Sequence, residues 1–469
     1  MSGIVSYGAY IPYWRLQRSA ITSALGSGGG RGTRSVASYD EDTTSIAVEA
    51  GRVALANAPQ GYSPDNVWFA TATPAYLDKT NATAIHAALA LPDGAGAYDV
   101  NGSVRSQVAA LMGASARGPQ MAFVSDVRVG LPGGGDEANG GDAAAAICFG
   151  EGNVICQDFG GAGVTAEFLD RWREPGDVSS HLWEERFGEF AYVPLAQEAF
   201  KRACAGAGMT PDQFDHVIVS GLHGRAAKAV AKAIGVRPEA VADDLSTVIG
   251  NAGTAQAMVN LCDVLDRAQP GQTIAVVLLA DGCNVWLLRT TDELLAFRAR
   301  QTNTVAQQIA NTRDDLTYAS FLTWRGFLHR EPPRRPEPDR PAGPPSLRRN
   351  KWKFGFFGSK DETGFVHLPP SRVSFGTGAI DQMEPIRMAD VRATIATYTV
   401  DRLAFSLSPP VVAAVIDFDG GGRFQCELTD VDPDKVKIGD RVEMSFRRLF
   451  TQDGVHNYFW KARPIRGGA

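Results

Sequence analysis

His223 stands in the turn Leu222-His223-Gly224, ahead of an Ala-rich stretch. An imidazole there can exchange a proton with a bound molecule. Asp281 and Cys283 lie in Asp281-Gly282-Cys283-Asn284, directly after the apolar run Ile274–Ala280. A carboxylate and a thiol at the end of a buried strand suit acid–base or nucleophilic work. Asn251, in Ile249-Gly250-Asn251-Ala252-Gly253, offers an amide that can support an oxyanion or orient a water. Tyr76 supplies a phenol, Ser103 and Ser106 supply hydroxyl donors with no evident base beside them, and Arg225 supplies a guanidinium able to meet phosphate. Each has a plainer reading. His223 and Asn251 can hold turns, Asp281 can cap one, Cys283 and Tyr76 can pack inward, and Arg225 can be a surface charge.

These residues sit at the ends of alternating elements. Val67–Ala72, Gln120–Ser125, Val217–Ser220 and Ile274–Ala280 read as buried strands. Thr44–Ala56, Arg105–Ala116, Leu195–Ala207, Ala226–Ile234 and Ala255–Ala268 read as helices. Alternation at this spacing predicts an α/β layered fold.

The chain has 469 residues, 44% of them hydrophobic and 21% charged, enough for several domains and a large core. A net charge of −6 without a basic stripe argues against nucleic-acid binding. No apolar run approaches the roughly 20 residues needed to cross a bilayer, and the start lacks the features of a secretion signal. The six cysteines form no C-x-x-C pair, which predicts reduced thiols in a cytoplasmic protein, with no cysteine-based metal site.

After residue 292 the composition changes. Residues 293–350 read as a bridge: helical with an aromatic cluster (Tyr318, Phe321, Trp324, Phe327), then extended through the Pro- and Arg-rich 331–350. From 391 to 469 five alternating segments, separated by turns such as Gly420-Gly421-Gly422 and Asp453-Gly454, predict a five-stranded barrel of the OB type. Phe459 and Trp460 are adjacent and so face opposite sides of a strand, which leaves no stacked face for single-stranded nucleic acid.

Several phrases also recur in a fixed order. GIVSYGAYIP at the start, YDEDTTSIAVEAGRVAL (39–55), SDVRVGLPGGGDEANGGDAAAAICFGEGNVI (125–155), FLDRWREPG (168–176) and IGNAGTAQAM (249–258) resemble the thiolase superfamily. Within it they resemble the short archaeal-type hydroxymethylglutaryl-CoA synthases. The resemblance covers residues 1–292 and implies a layered α-β-α-β-α core acting on a coenzyme A thioester, with no covalently held cofactor. It also implies a homodimer through that core, with the small-residue strand Gly141–Ala146 at the subunit contact. Such synthases use a cysteine at a helix N-terminus, a histidine and a general-acid glutamate. In the matching phrases DVNGSVRSQVAAL (99–111), SGLHGR (220–225) and FATATPAY (69–76), those places hold Val104, Ser220 and Ala72. Arg225 stands where the family has a lysine, while Tyr76 and Asn251 match a tyrosine and an asparagine. The turn through Ser103, Val104 and Ser106 keeps backbone N–H groups that can cradle a thioester oxygen.

The C-terminal part resembles the OB-fold accessory proteins of thiolase-like enzymes, which carry a four-cysteine zinc ribbon before the barrel. Residues 351–390 keep the ribbon's pattern, including His367, but its ligand places hold Lys360, Thr363, Ser374 and Thr377. None supplies a thiolate, so no zinc is expected and His367 reads as structural. Thiolase-like aldolases that act on steroid-CoA thioesters also lack the cysteine and require an OB-fold partner. The combined expectation is an acyl-CoA carbon–carbon bond enzyme, an aldolase or retro-aldolase on a β-hydroxyacyl-CoA. The alternatives are an acyltransferase with a non-standard nucleophile such as Cys283, and an inactive acyl-CoA-binding scaffold.

Overall fold

The computed structural model describes residues 3–465. The core strands are β1 (Gly3–Tyr10), β2 (Asn66–Thr71), β3 (Gly96–Asn101), β4 (Gln120–Val127), β5 (Asp142–Gly150), β6 (Cys156–Thr165), β7 (His216–Gly221), β8 (Thr273–Leu279) and β9 (Gly282–Thr290). They form a ladder in the order β7-β8-β9-β6-β1-β5-β4-β2-β3. Its two halves join where β1 meets β6 over only Gly3/Gln157 and Ile4/Cys156.

The main helices are α1 (Thr43–Ala56), α2 (Ser106–Ser115), α3 (Glu185–Ala207), α4 (Gly224–Ala233) and α5 (Gln256–Arg267). Helices α2 and α5 form a middle layer: α2 packs on β2 and β4, and α5 packs on β1 and β5 of one half and β7 and β8 of the other. Helix α1 covers the outer face of the first half, while α3 and α4 cover the second. The layered core expected from the sequence is present. Helix α3 begins ten residues before Leu195, because the helix carries through Pro194, where the sequence reads as a break.

The small-residue strand has a different role from the one expected. β5 lies inside the sheet, paired with β1 on one side and β4 on the other, and all of it is buried. It is therefore unavailable to a second subunit. Ala144 and Ala146 pack toward α1, whereas Ala143 and Ala145 pack toward the middle layer. Short side chains on both faces let helices approach closely from both sides. The same constraint acts on β1, where a Cβ at Gly8 would lie 2.4 Å from the Ala50 carbonyl oxygen of α1.

Short helices at Glu293–Arg300, Val305–Ala310 and Tyr318–Trp324 follow the core. The stretch expected to be extended through 350 instead turns helical at Gly343–Arg348 and Asn350–Lys353. Pro344 and Pro345 fit the first helical turn, where a missing N–H costs nothing.

The ribbon is a three-stranded sheet of Val366–His367, Phe357–Lys360 and Glu384–Arg387. Two turns close on oxygen rather than metal. Asp361 accepts from the Thr363 N–H (2.9 Å), the Thr363 hydroxyl (2.7 Å) and the Phe365 N–H (2.9 Å). Ser374 donates to Asp361 at 2.5 Å and accepts from the N–H groups of Gly376 and Thr377 at 3.0 Å each. Lys360 stays in its strand, and His367 Nε2 accepts the Phe375 N–H at 3.0 Å. This donor set does not suit zinc. Asp361→Ala is expected to lower the melting temperature of the intact chain, whereas EDTA leaves the wild-type value unchanged. A fall with EDTA would point to a metal.

The barrel strands are β10 (Ala393–Asp401), β11 (Val411–Phe418), β12 (Arg423–Leu428), β13 (Arg441–Gln452) and β14 (Val455–Pro464), closed in the order β10-β11-β12-β14-β13. The alternation read from the sequence places Ile416, Met444, Phe446 and Trp460 inside. One apolar cluster runs from α1 into this barrel. Buried ion pairs pin the contact: Arg447–Asp40 (3.2 Å), Arg447–Glu41 (2.9 Å), Lys461–Asp40 (3.0 Å) and Arg463–Glu49 (3.0 Å). The Tyr458 hydroxyl donates to Asp42 at 2.6 Å.

Burial, with Asp430 and Asp40 close by, pushes the Glu41 carboxyl up to about 7, against the pull of Arg447. A carboxyl raised on folding stabilises the fold most below its unfolded pKa of about 4.5 and loses that contribution as pH rises toward about 7. Glu41→Gln is therefore expected to flatten the decline in urea stability across that window. Parallel pH profiles for the two proteins would contradict this.

Candidate active site

Val104 is 6% exposed and stands at the turn into α2, within the apolar cluster that surrounds the middle layer. The neighbouring Arg105 reaches across to β9's turn. It donates to the carbonyls of Asp281 and of Ala280 (3.2 Å) and to the Thr165 hydroxyl (2.7 Å). Ser103 is exposed, and its N–H donates to the Ser106 hydroxyl at 3.3 Å. The turn before α2 is thus tied to the end of β8 through one guanidinium.

Asn251 comes from the loop before α5. Its amide donates to the Gly221 carbonyl at 2.8 Å and accepts the Gly253 N–H at 2.9 Å, which fixes the loop against the end of β7. Gly141 is required beside it, since a Cβ there would lie 1.9 Å from the Ile249 carbonyl oxygen. Asp126, fully buried, accepts from Thr71 Oγ1 (2.9 Å), the Ala72 N–H (2.8 Å) and the Thr254 N–H (2.7 Å). It binds the end of β2 to the same loop. Among the described residues the buried hydroxyls of Ser220 and Thr254 have no hydrogen-bond partner.

The segment between β6 and α3 adds groups that the sequence reading passed over. Arg173 donates to the Ala72 carbonyl and, among the described residues, pairs with no carboxylate. Arg171 pairs with Asp136. Asp170 lies beside the Tyr192 hydroxyl, His223 and Asp281, and burial raises its carboxyl above the usual range despite the pull of His223. Both Asp170 and Arg173 belong to FLDRWREPG, so the phrase was visible, but nothing in its spacing shows where the segment folds back.

His223 caps α4, its Nδ1 accepting the Ala226 N–H at 3.1 Å. An acceptor Nδ1 places the proton of the neutral ring on Nε2. That Nε2 is buried and makes no hydrogen bond among the described residues. His223 is therefore built as a donor, with Asp170 the nearby carboxylate. Asp281 adopts a φ of +44° at an exposed turn, and its carbonyl, rather than its carboxylate, holds Arg105.

Three candidates lie apart from this group. Cys283 is fully buried in the apolar layer beneath α3 and α4, and burial pushes its thiol up to about 12. A nucleophile needs the thiolate, so this placement does not suit the role expected of it. Tyr76 joins core to barrel: its hydroxyl accepts the His456 N–H at 2.7 Å, and the rings lie 4.6 Å apart. Arg225 is exposed beside Glu189 at 3.7 Å.

A hydroxymethylglutaryl-CoA synthase of Pyrococcus furiosus is 30% identical over 293 residues, covering 60% of this chain and 83% of the relative. The chain belongs to the hydroxymethylglutaryl-CoA synthase family. A second member, from Picrophilus torridus, is 27% identical over 347 residues, covering 70% of this chain and 98% of that protein. Residues 204–286 match the family model described as 3-oxoacyl-[acyl-carrier-protein] synthase III C terminal, and residues 386–447 match ChsH2, C-terminal OB-fold domain. Among solved structures, the curacin-pathway HMG synthase superposes with a TM-score of 0.57 at 16% identity, covering 69% of this chain and 88% of that one. The synthase III of Aquifex aeolicus does so at 0.53 and 19%, covering 62% and 100%. This family member thus joins a thiolase-like core and an OB-fold barrel in one chain. Among its described residues, no helix is long and apolar enough to cross a membrane.

Proposed function

We propose that the protein is a carbon–carbon bond enzyme acting on a coenzyme A thioester without an acyl-enzyme intermediate. The reaction is an aldol or retro-aldol step on a β-hydroxyacyl-CoA. One observation carries this reading: at the turn into α2, where the resemblance puts a nucleophile, stands the buried Val104, with Arg105 beside it and Arg173, which among the described residues pairs with no carboxylate, on Ala72. Valine cannot hold an acyl group, whereas N–H groups and guanidinium ions can hold an enolate oxygen.

In the cleavage direction Asp170 takes the β-hydroxyl proton. The Cα–Cβ bond breaks, its electron pair passes into the thioester enolate, and a carbonyl compound departs. The proton held by Asp170 then passes to Cα of the enolate, which gives the shortened acyl-CoA and restores the carboxylate. His223 Nε2–H and Arg173 act as donors to the oxygen that gains charge. Relatives named hydroxymethylglutaryl-CoA synthase favour a second reading, an acyltransferase, which requires a nucleophile other than Val104. The proposal also retains a cytoplasmic setting, supported by six free cysteines, and a homodimer whose seam lies away from β5.

The test is incubation with a panel of β-hydroxyacyl-CoA esters, followed chromatographically. Release of a carbonyl compound with a shortened acyl-CoA is expected. Binding of the esters without any conversion would instead identify a scaffold.

A further inference from the structure

A cleft of about 340 Å3 opens on the barrel side of the molecule, between the Pro-rich residues 339–353 and the β13–β14 hairpin. Its size lies in the range of small-molecule sites. Trp352 forms part of the wall. Phe356 stacks behind it at 5.1 Å, and Phe459 and Phe424 meet it edge-on at 5.2 and 5.8 Å, so the indole is a rigid platform rather than a loose surface ring. Arg349 and Lys353 also line the cleft, and among the described residues neither pairs with a carboxylate. Lys353 is half-buried, its Nζ donating to Asn457 Oδ1 at 2.6 Å and lying 6.0 Å from the Phe354 ring centre. Asp339 is the acid in the lining.

A fixed aromatic plane in a cleft lined by two cations that, among the described residues, pair with no carboxylate matches a planar base carrying phosphate. Stacking holds the ring, and charge-assisted hydrogen bonds hold the anion. A purely apolar chain would cover the rings while desolvating both cations without compensation. We propose that this cleft binds an adenine nucleotide, either free or as the phosphorylated adenosine head of a coenzyme A thioester. The second source rests on the function proposed above; the first does not.

Isothermal titration of the full chain with adenosine 3′,5′-bisphosphate, AMP, coenzyme A and pantetheine tests this. Binding of 3′,5′-bisphosphate and of coenzyme A, each weakened about tenfold or more by Arg349→Gln and by Lys353→Gln, identifies the coenzyme head. Binding of AMP in preference to coenzyme A, with the same sensitivity, identifies a free nucleotide. Unaltered melting temperatures show that the variants remain folded. Wild-type affinity for every nucleotide in both variants, or binding of pantetheine alone, overturns the proposal. If thioesters are still cleaved in that event, the proposed function survives. If nucleotides bind with the expected sensitivity and no thioester is cleaved, it is the function that fails.

Discussion

His223→Ala is expected to lower the turnover of a β-hydroxyacyl-CoA by about 100-fold or more, chiefly in kcat, and Asp170→Asn by a similar factor. The argument starts from tautomer. The backbone N–H of Ala226 occupies Nδ1, so the ring's proton sits on the buried and otherwise unengaged Nε2. Its removal leaves charge developing on the substrate oxygen with one donor fewer. The same substitution removes a helix cap, worth about 1 kcal/mol, and this would lower activity only by lowering the folded population. His223→Asn separates the two effects, because asparagine caps helices well but lacks Nε2. Restored melting temperature with activity still lost supports the chemical role. Restored activity would reduce His223 to a cap.

Arg447→Met is expected to destabilise the chain by about 3–5 kcal/mol, read from urea denaturation near neutral pH. Arg447 is fully buried and faces Asp40, Glu41 and Asp430 together. Its loss takes a buried guanidinium away from carboxylates that have given up hydration, while Lys461 still faces Asp40 at 3.0 Å. Since these groups join α1 to the barrel, the variant is also expected to split one cooperative transition into two. A loss under 1 kcal/mol with one transition would show that the barrel is held by its apolar contact alone.

Much of the architecture was legible in the sequence because period and turn chemistry are local. The alternation in residues 411–418 and 441–452 reports which side chains enter the barrel, and Ala-rich stretches report helices. What a strand packs against is not local, and the Ala run of β5 shows the limit. Small residues signal close approach, and the sequence does not say whether a helix of the same chain or another subunit approaches. Asp361 shows another. The four ribbon positions were identified by their missing thiols, yet the group that closes the turns lies one residue from Lys360, at a place the metal pattern does not mark.

The candidate site was legible mainly as a set of losses. By the resemblance, Val104, Ala72 and Ser220 stand where the synthases carry a nucleophile, an acid and an imidazole. His223 and Asp281 were visible as candidates, but their proximity to Asp170, and the reach of Arg173 to Ala72, depend on a segment folding back across the core. Cys283 was plausible at the end of a strand. Only the parity of β9, which turns it beneath α3 and α4, removes it.

Intact-mass spectrometry after incubation with an acyl-CoA, quenched in acid, bears most directly on whether this family member works without a covalent intermediate. The account predicts an unmodified chain throughout, under conditions where a β-hydroxyacyl-CoA is cleaved. A mass increase equal to the acyl group, lost on treatment with hydroxylamine, would contradict it and restore acyl transfer as the reaction.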